Sequence, residues 1–87
     1  MDSKTNTNQT ITLIGIGRVR ATTAETLTIG DIIVWNYGYR YTVDGIKPRG
    51  KTELTITERN IETGLTYQRN VKRTRLIGVA QFAHEVK

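Results

Sequence analysis

The sequence predicts an all-β protein, a meander of five to six antiparallel strands that closes into one small barrel. Three observations carry this. β-Branched residues, threonine above all, recur along the whole chain, and glycines punctuate it. No long stretch sets apolar residues at i, i+3, i+4 and i+7, the spacing that would bury one face of a helix. A chain of 87 residues encloses a single modest core, so it makes one domain.

Residues 1–9 contain no apolar residue after Met1 and are expected to form a disordered tail. The barrel domain is expected over residues 10–80, starting with a strand at Thr10–Ile16. Gly15 and Gly17 read as a bend or bulge. Further strands are expected at Asp31–Trp35, Arg40–Lys47, Lys51–Glu58, Leu65–Val71 and Arg75–Val79. Pro48-Arg49-Gly50 presets a turn through the fixed φ of proline, and Glu62-Thr63-Gly64 does the same for the next hairpin. Asp44-Gly45 falls inside a convincing strand, where a glycine marks a bulge. Residues 81–87 are expected to be a short tail that forms at most a helical turn.

The stretch Val34–Val43, VWNYGYRYTV, is too long to continue the preceding strand, because strands usually run ~3–10 residues. Asn36 and Gly38 offer the reversal. A four-residue loop, Asn36 to Tyr39, would set Trp35 opposite Arg40, Val34 opposite Tyr41 and Ile32 opposite Val43. A three-residue loop would pair Trp35 with Tyr39 and Ile33 with Tyr41, and that slip exchanges the two faces. The four-residue loop is preferred because it puts Arg40 and Thr42 outside. The expected core is then Ile32, Val34, Tyr41, Val43, Leu54, Ile56, Tyr67, Val71 and Leu76. Trp35, Tyr37 and Tyr39 fall at an exposed hairpin end beside Arg40.

The net charge of +5 is unevenly placed. Between Asn36 and Arg75 nine cations face four carboxylates, so this segment carries all of it. A localised positive field favours nucleic acid or an acidic protein surface; a basic face that keeps the protein soluble is the plain alternative. The chain has no cysteine and a single histidine, His84, so neither a disulfide nor a metal centre is expected. ITLIGIG, Ile11 to Gly17, falls far short of the ~20 apolar residues of a membrane span. The leader lacks the basic and apolar regions of a secretory signal, and a cytoplasmic setting is expected.

Leu27, Gly30, Asp31, Trp35, Asn36, Tyr37 and Gly38, within TLTIGDIIVWNYGYRYTVDGI, together with Arg75 and Leu76 in RTRLIGV, carry a resemblance. The chain resembles a group of small uncharacterised proteins of phages and other mobile elements of Gram-positive bacteria, over about two thirds of its length. That resemblance implies a bacterial host but brings no activity with it. Leu27–Asp31 also looks like the first elbow of SH3-like barrels, which bind peptides, nucleic acids or other proteins. The fold class expected is therefore a small SH3-like barrel.

No catalytic site is expected. Gly15 to Arg20 departs from the dinucleotide fingerprint at Arg20, and no helix pattern follows. Gly50-Lys51-Thr52 lacks the upstream glycine of a phosphate-cradling loop. His84 lies too near the chain end to be a preorganised base. Glu58 and Glu62 flank Arg59 and read as solvated charge. Two binding functions remain. In the first, Trp35, Tyr37 and Tyr39 stack bases while Arg40, Lys47, Arg49, Lys51, Arg69, Lys72, Arg73 and Arg75 contact phosphates. In the second, the aromatic hairpin seizes a host or defence protein, since Trp, Tyr and Arg dominate binding energy at interfaces. A structural or homo-oligomeric role is the third possibility. No cofactor is expected with any of them.

Overall fold

The computed structural model describes residues 9–85. The tail expected over residues 1–9 lies, apart from Gln9, outside the described residues. Seven strands form one antiparallel sheet: β1 (Thr10–Leu13), β2 (Gly17–Thr23), β3 (Ile32–Val34), β4 (Arg40–Arg49), β5 (Glu53–Asn60), β6 (Thr66–Lys72) and β7 (Leu76–Gln81). Their order is β1-β2-β7-β3-β4-β5-β6, so β1 and β6 are the edges and strand pairing does not close the sheet. The all-β antiparallel expectation holds, with one strand more than expected. No helix of the described residues is long and apolar enough to cross a membrane.

The extra strand is β2. Its sequence, GRVRATT, holds no large apolar residue but Val19, so it lacks the alternation by which strands are recognised. Gly15 and Gly17, at φ 86° and 89°, form the hairpin turn that sends the chain back along β1 instead of the bend expected there. β1 consequently ends at Leu13, short of Ile16.

Asp44-Gly45 is the bulge expected. The β4–β5 register steps from Val43↔Glu58 to Gly45↔Thr57, leaving Asp44 unpaired in the ladder, and its carboxylate takes the Arg59 guanidinium at 3.0 Å and 3.2 Å. Pro48, expected in a turn, lies within β4 opposite Leu54. β3 pairs with β4 only as far as Thr42, so no neighbouring strand on that side asks for the missing N–H of Pro48. The reversal falls on Gly50-Lys51-Thr52, with Gly50 at φ 64°. The Ile61–Gly64 turn, with Gly64 at φ 77°, is where it was expected.

The β3–β4 register differs from the one preferred. Trp35 N donates to Tyr39 O at 2.9 Å, and Ile33, not Val34, lies opposite Tyr41. The preference rested on one apolar face, and β3 has two. Ile33 is fully buried and Val34 is 4% exposed, because β3 sits between β4 and β7 and is covered on both sides. A strand buried on both faces has no polar side to fix its register.

The main core consists of Ala24, Leu27, Ile33, Val43, Leu54, Ile56, Val71, Ile77 and Val79, flanked by Trp35, Tyr41, Ile46 and Phe82. Among the residues expected in the core, Val34, Val43, Leu54, Ile56 and Val71 are buried. Ile32, Tyr41 and Leu76 are only partly buried, and Tyr67, on β6 at the end of the strand order, is 46% exposed. On the opposite face Val34 meets Val19 across Gly78, where an added Cβ would stand 3.0 Å from both valines. The tip of the β1–β2 hairpin docks on the β3–β4 loop through Ile14 N to Asn36 Oδ1 at 3.0 Å and Tyr37 N to Ile14 O at 2.7 Å.

The Leu27–Asp31 elbow is held by Asp31, whose buried carboxylate accepts from Thr28 N at 2.8 Å, Thr28 Oγ1 at 3.1 Å and Ala83 N at 2.7 Å. Ala83–Glu85 form a 3₁₀ turn, tied to β2 by Arg20 Nη1 and Glu85 Oε2 at 2.6 Å.

Candidate binding surfaces

The expected site residues fall into three places. Trp35 follows β3 with the same facing as Ile33 and so turns toward the core, where it is partly buried. Its Nε1 donates to Glu58 Oε1 at 3.1 Å, and the guanidinium groups of Arg69 and Arg75 lie over its ring, 4.1 Å and 5.4 Å from the centroid. The indole N–H is thus engaged inside the fold, and two guanidinium groups lie against the ring expected to stack bases.

Glu58, read from the sequence as solvated, is 1% exposed. It alternates with Leu54 and Ile56 along β5, and that period of two carries it inward. Arg69 Nε and Nη2 reach its Oε2 at 3.1 Å and 2.9 Å, so each carboxylate oxygen has a donor. A buried ion pair of this kind is costly to break, because removing one partner strands a charge inside the protein. Arg69 is thus bound into the fold through Nε and Nη2, which leaves its Nη1 outside the pair.

Tyr37 and Tyr39 are exposed, as expected, at 66% and 57%. With Arg40, Asn60, Ile61 and Glu62 they line a cleft of about 150 Å³. The fold gathers more apolar residues around them than the sequence reading named. Ile14 bonds through its backbone to the loop, Ile16 packs against Gly38, Ile61 N donates to Arg40 O at 3.1 Å, and Leu65 O accepts from Asn60 N at 2.8 Å. Tyr67 stands edge-on to Tyr41 at 6.1 Å between centroids. Of the eight large apolar side chains exposed among the described residues, all but Ile29 thus belong to this end of the molecule. Ile61 and Leu65, large apolar residues on either side of a turn, were the available sequence signal.

Tyr37 also has φ 68° and ψ 9°, the left-handed conformation in which a bulky side chain crowds its own backbone. It is the one residue besides glycine with positive φ among those described.

The remaining cations gather at the other end. Arg73 N donates to Thr52 O at 2.9 Å and Arg73 Nε to Lys51 O at 3.1 Å, so the β4–β5 and β6–β7 turns lie side by side. Lys47, Arg49, Lys51, Lys72 and Arg73 therefore share one region, with Glu53 paired to Arg49 at 3.1 Å. The eight residues of β5 separate this end from Tyr39 and Ile61 by roughly 25 Å at the usual strand rise. The Tyr37–Tyr39 loop and the basic turns of Lys47, Lys51, Lys72 and Arg73 do not form one surface.

Comparison of the chain with protein-family models, with curated proteins and with solved structures finds no match.

Proposed function

We propose that the protein is a small protein-binding module whose interface is the apolar end around Tyr37, Tyr39 and Ile61. The observation that carries this reading is the gathering of exposed large apolar side chains there. Apolar patches rimmed by polar groups mark interaction sites on small proteins, and tyrosine beside arginine is the composition of binding hot spots. The conformation of Tyr37 adds weight. Asparagine or glycine would occupy φ 68° at less cost, and strain on an exposed residue is a feature of binding loops. We read the sheet as an opened SH3-like barrel, since Ala24 N and Glu25 N bond to Arg75 O and Arg73 O at 2.9 Å and 3.0 Å and so bring β2 against the β6–β7 turn. The resemblance to mobile-element proteins supports a host or defence protein as the partner.

The test is affinity capture from a bacterial lysate with nuclease added, comparing wild type with a Tyr37→Gly/Tyr39→Ser variant. A discrete partner is retained by wild type and lost by the variant, whose melting temperature is unchanged because glycine accepts the φ of residue 37. A partner retained equally by both, or lost from wild type on nuclease treatment, refutes the reading.

The second reading is nucleic-acid binding through the basic end. It is favoured by the convergence of Lys47, Lys51, Lys72 and Arg73, none of which forms an ion pair among the described residues. It expects a labelled single strand to bind with a salt slope that falls by ~0.7–0.9 for each phosphate contact removed by Lys→Ala substitution.

A further inference from the structure

We propose that the groove beside Trp35 binds an extended acidic peptide segment, which adds to the free edge of β1 and places a carboxylate against Arg75. The groove goes beyond the apolar interface proposed above, being a separate cavity that shares no lining residue with that cleft. It measures about 310 Å³ and is lined by Ile11, Leu13 and Leu76 on its aliphatic walls and by Trp35, Arg69 and Arg75 at its cationic side. That volume stands at the small end of the ~300–1,000 Å³ typical of ligand sites, enough for a few side chains but not for a folded domain.

Two independent features select the occupant. The first is charge. Arg75 is exposed and forms no ion pair among the described residues, and Nη1 of Arg69 is left over after Nε and Nη2 engage Glu58. Cation–π contact with Trp35 restrains both guanidinium groups, which lowers the entropy lost when a carboxylate docks. The second is the edge. β1 reads Thr-Ile-Thr-Leu, an uncharged strand with no partner on its outer side among the described residues and without the lysine, proline or bulge by which proteins protect such edges. An extended peptide satisfies those backbone groups by strand addition, and its alternate side chains then face one wall. Apolar residues of the peptide meet Ile11 and Leu13, and an acidic residue meets Arg75.

Trp35 is the single tryptophan of the chain, so its fluorescence reports this groove alone. The probe is a short end-blocked peptide whose every second residue, the set that faces the groove, is valine toward one end and glutamate toward the other, titrated against the full-length protein. The comparison arms are the valine–lysine peptide, inorganic phosphate and a single-stranded oligonucleotide. The acidic peptide produces a saturable change in emission and the other three do not. Arg75→Gln weakens binding about tenfold or more, the effect of losing one charge-assisted hydrogen bond, and Arg75→Lys recovers part of it. Arg40→Gln, at a residue that does not line the groove, changes nothing. Thermal melts of the three variants show that the fold is kept. An equal response to the lysine peptide, to phosphate or to the oligonucleotide overturns the proposal. So does an unchanged affinity in Arg75→Gln, or no binding at all. Tyr37→Gly/Tyr39→Ser leaves this titration intact, so the groove and the apolar interface fail separately.

Discussion

Trp35 and Glu58 form the most informative residue pair in the molecule. The indole N–H serves one carboxylate oxygen and Arg69 the other, so each partner is needed to keep the buried charge solvated by protein groups. Trp35→Phe keeps most of the ring packing but removes that donor. It is expected to destabilise the fold by ~1–3 kcal/mol, the cost of leaving a buried polar group short of a partner. Denaturation by urea followed by circular dichroism measures it, and a Trp35→Phe protein as stable as wild type would show the indole hydrogen bond to be idle. Tyr37 contrasts with Trp35. Two residues further along the same segment, it is solvent-exposed and held in a conformation that its own side chain disfavours.

At the scale of elements, β3 decides the arrangement of its neighbours. It is three residues long, lies between β4 and β7, and is buried on both faces through Ile33 and Val34. Its register with β4 sets Ile33 opposite Tyr41, and Trp35, two residues on, turns inward with Ile33. Ile33→Val is expected to cost ~0.5–1.5 kcal/mol because it opens a gap in a fully packed site. Ile32→Val, at a partly buried position opposite Thr42, is expected to fall within ~0.5 kcal/mol of wild type. The two midpoints of chemical denaturation test the register directly; the opposite ranking would contradict it.

Across the whole molecule, the chain's two halves are joined by polar contacts at the margin of the core. Arg20 of β2 holds Glu85 of the last turn in a two-point ion pair and lies 5.0 Å over the Phe82 ring. The Arg20 hydrogen bond, aided by the Phe82 N–H, holds the Glu85 carboxyl down at about 2 from its usual 4.5. A carboxyl whose folded pKa lies below its unfolded one stabilises the folded state above the unfolded value, and the stabilisation is lost as pH falls toward the folded value. The melting temperature of wild type should therefore exceed that of Glu85→Gln by a constant margin above about pH 5, and the margin should close between 4.5 and about 2. A margin that persists at pH 2 would show that the pair contributes by packing and not by charge.

The sequence by itself determined the class of fold, six of the seven strands, the Asp44 bulge, the Gly64 turn and the exposure of Tyr37 and Tyr39, because period-two patterning, turn residues and glycine placement are local properties of the chain. Only the tertiary structure decided the rest. β2 carries too little apolar alternation to be recognised, and its place in the sheet comes from pairing with β1 and β7. The inward turn of Trp35 and Glu58, and the separation of the basic turns from the aromatic loop along β5, depend on which strands lie side by side. Residues close in sequence were carried to opposite ends of the sheet by hairpins, while β1 and Arg69, far apart in the chain, came to line one groove.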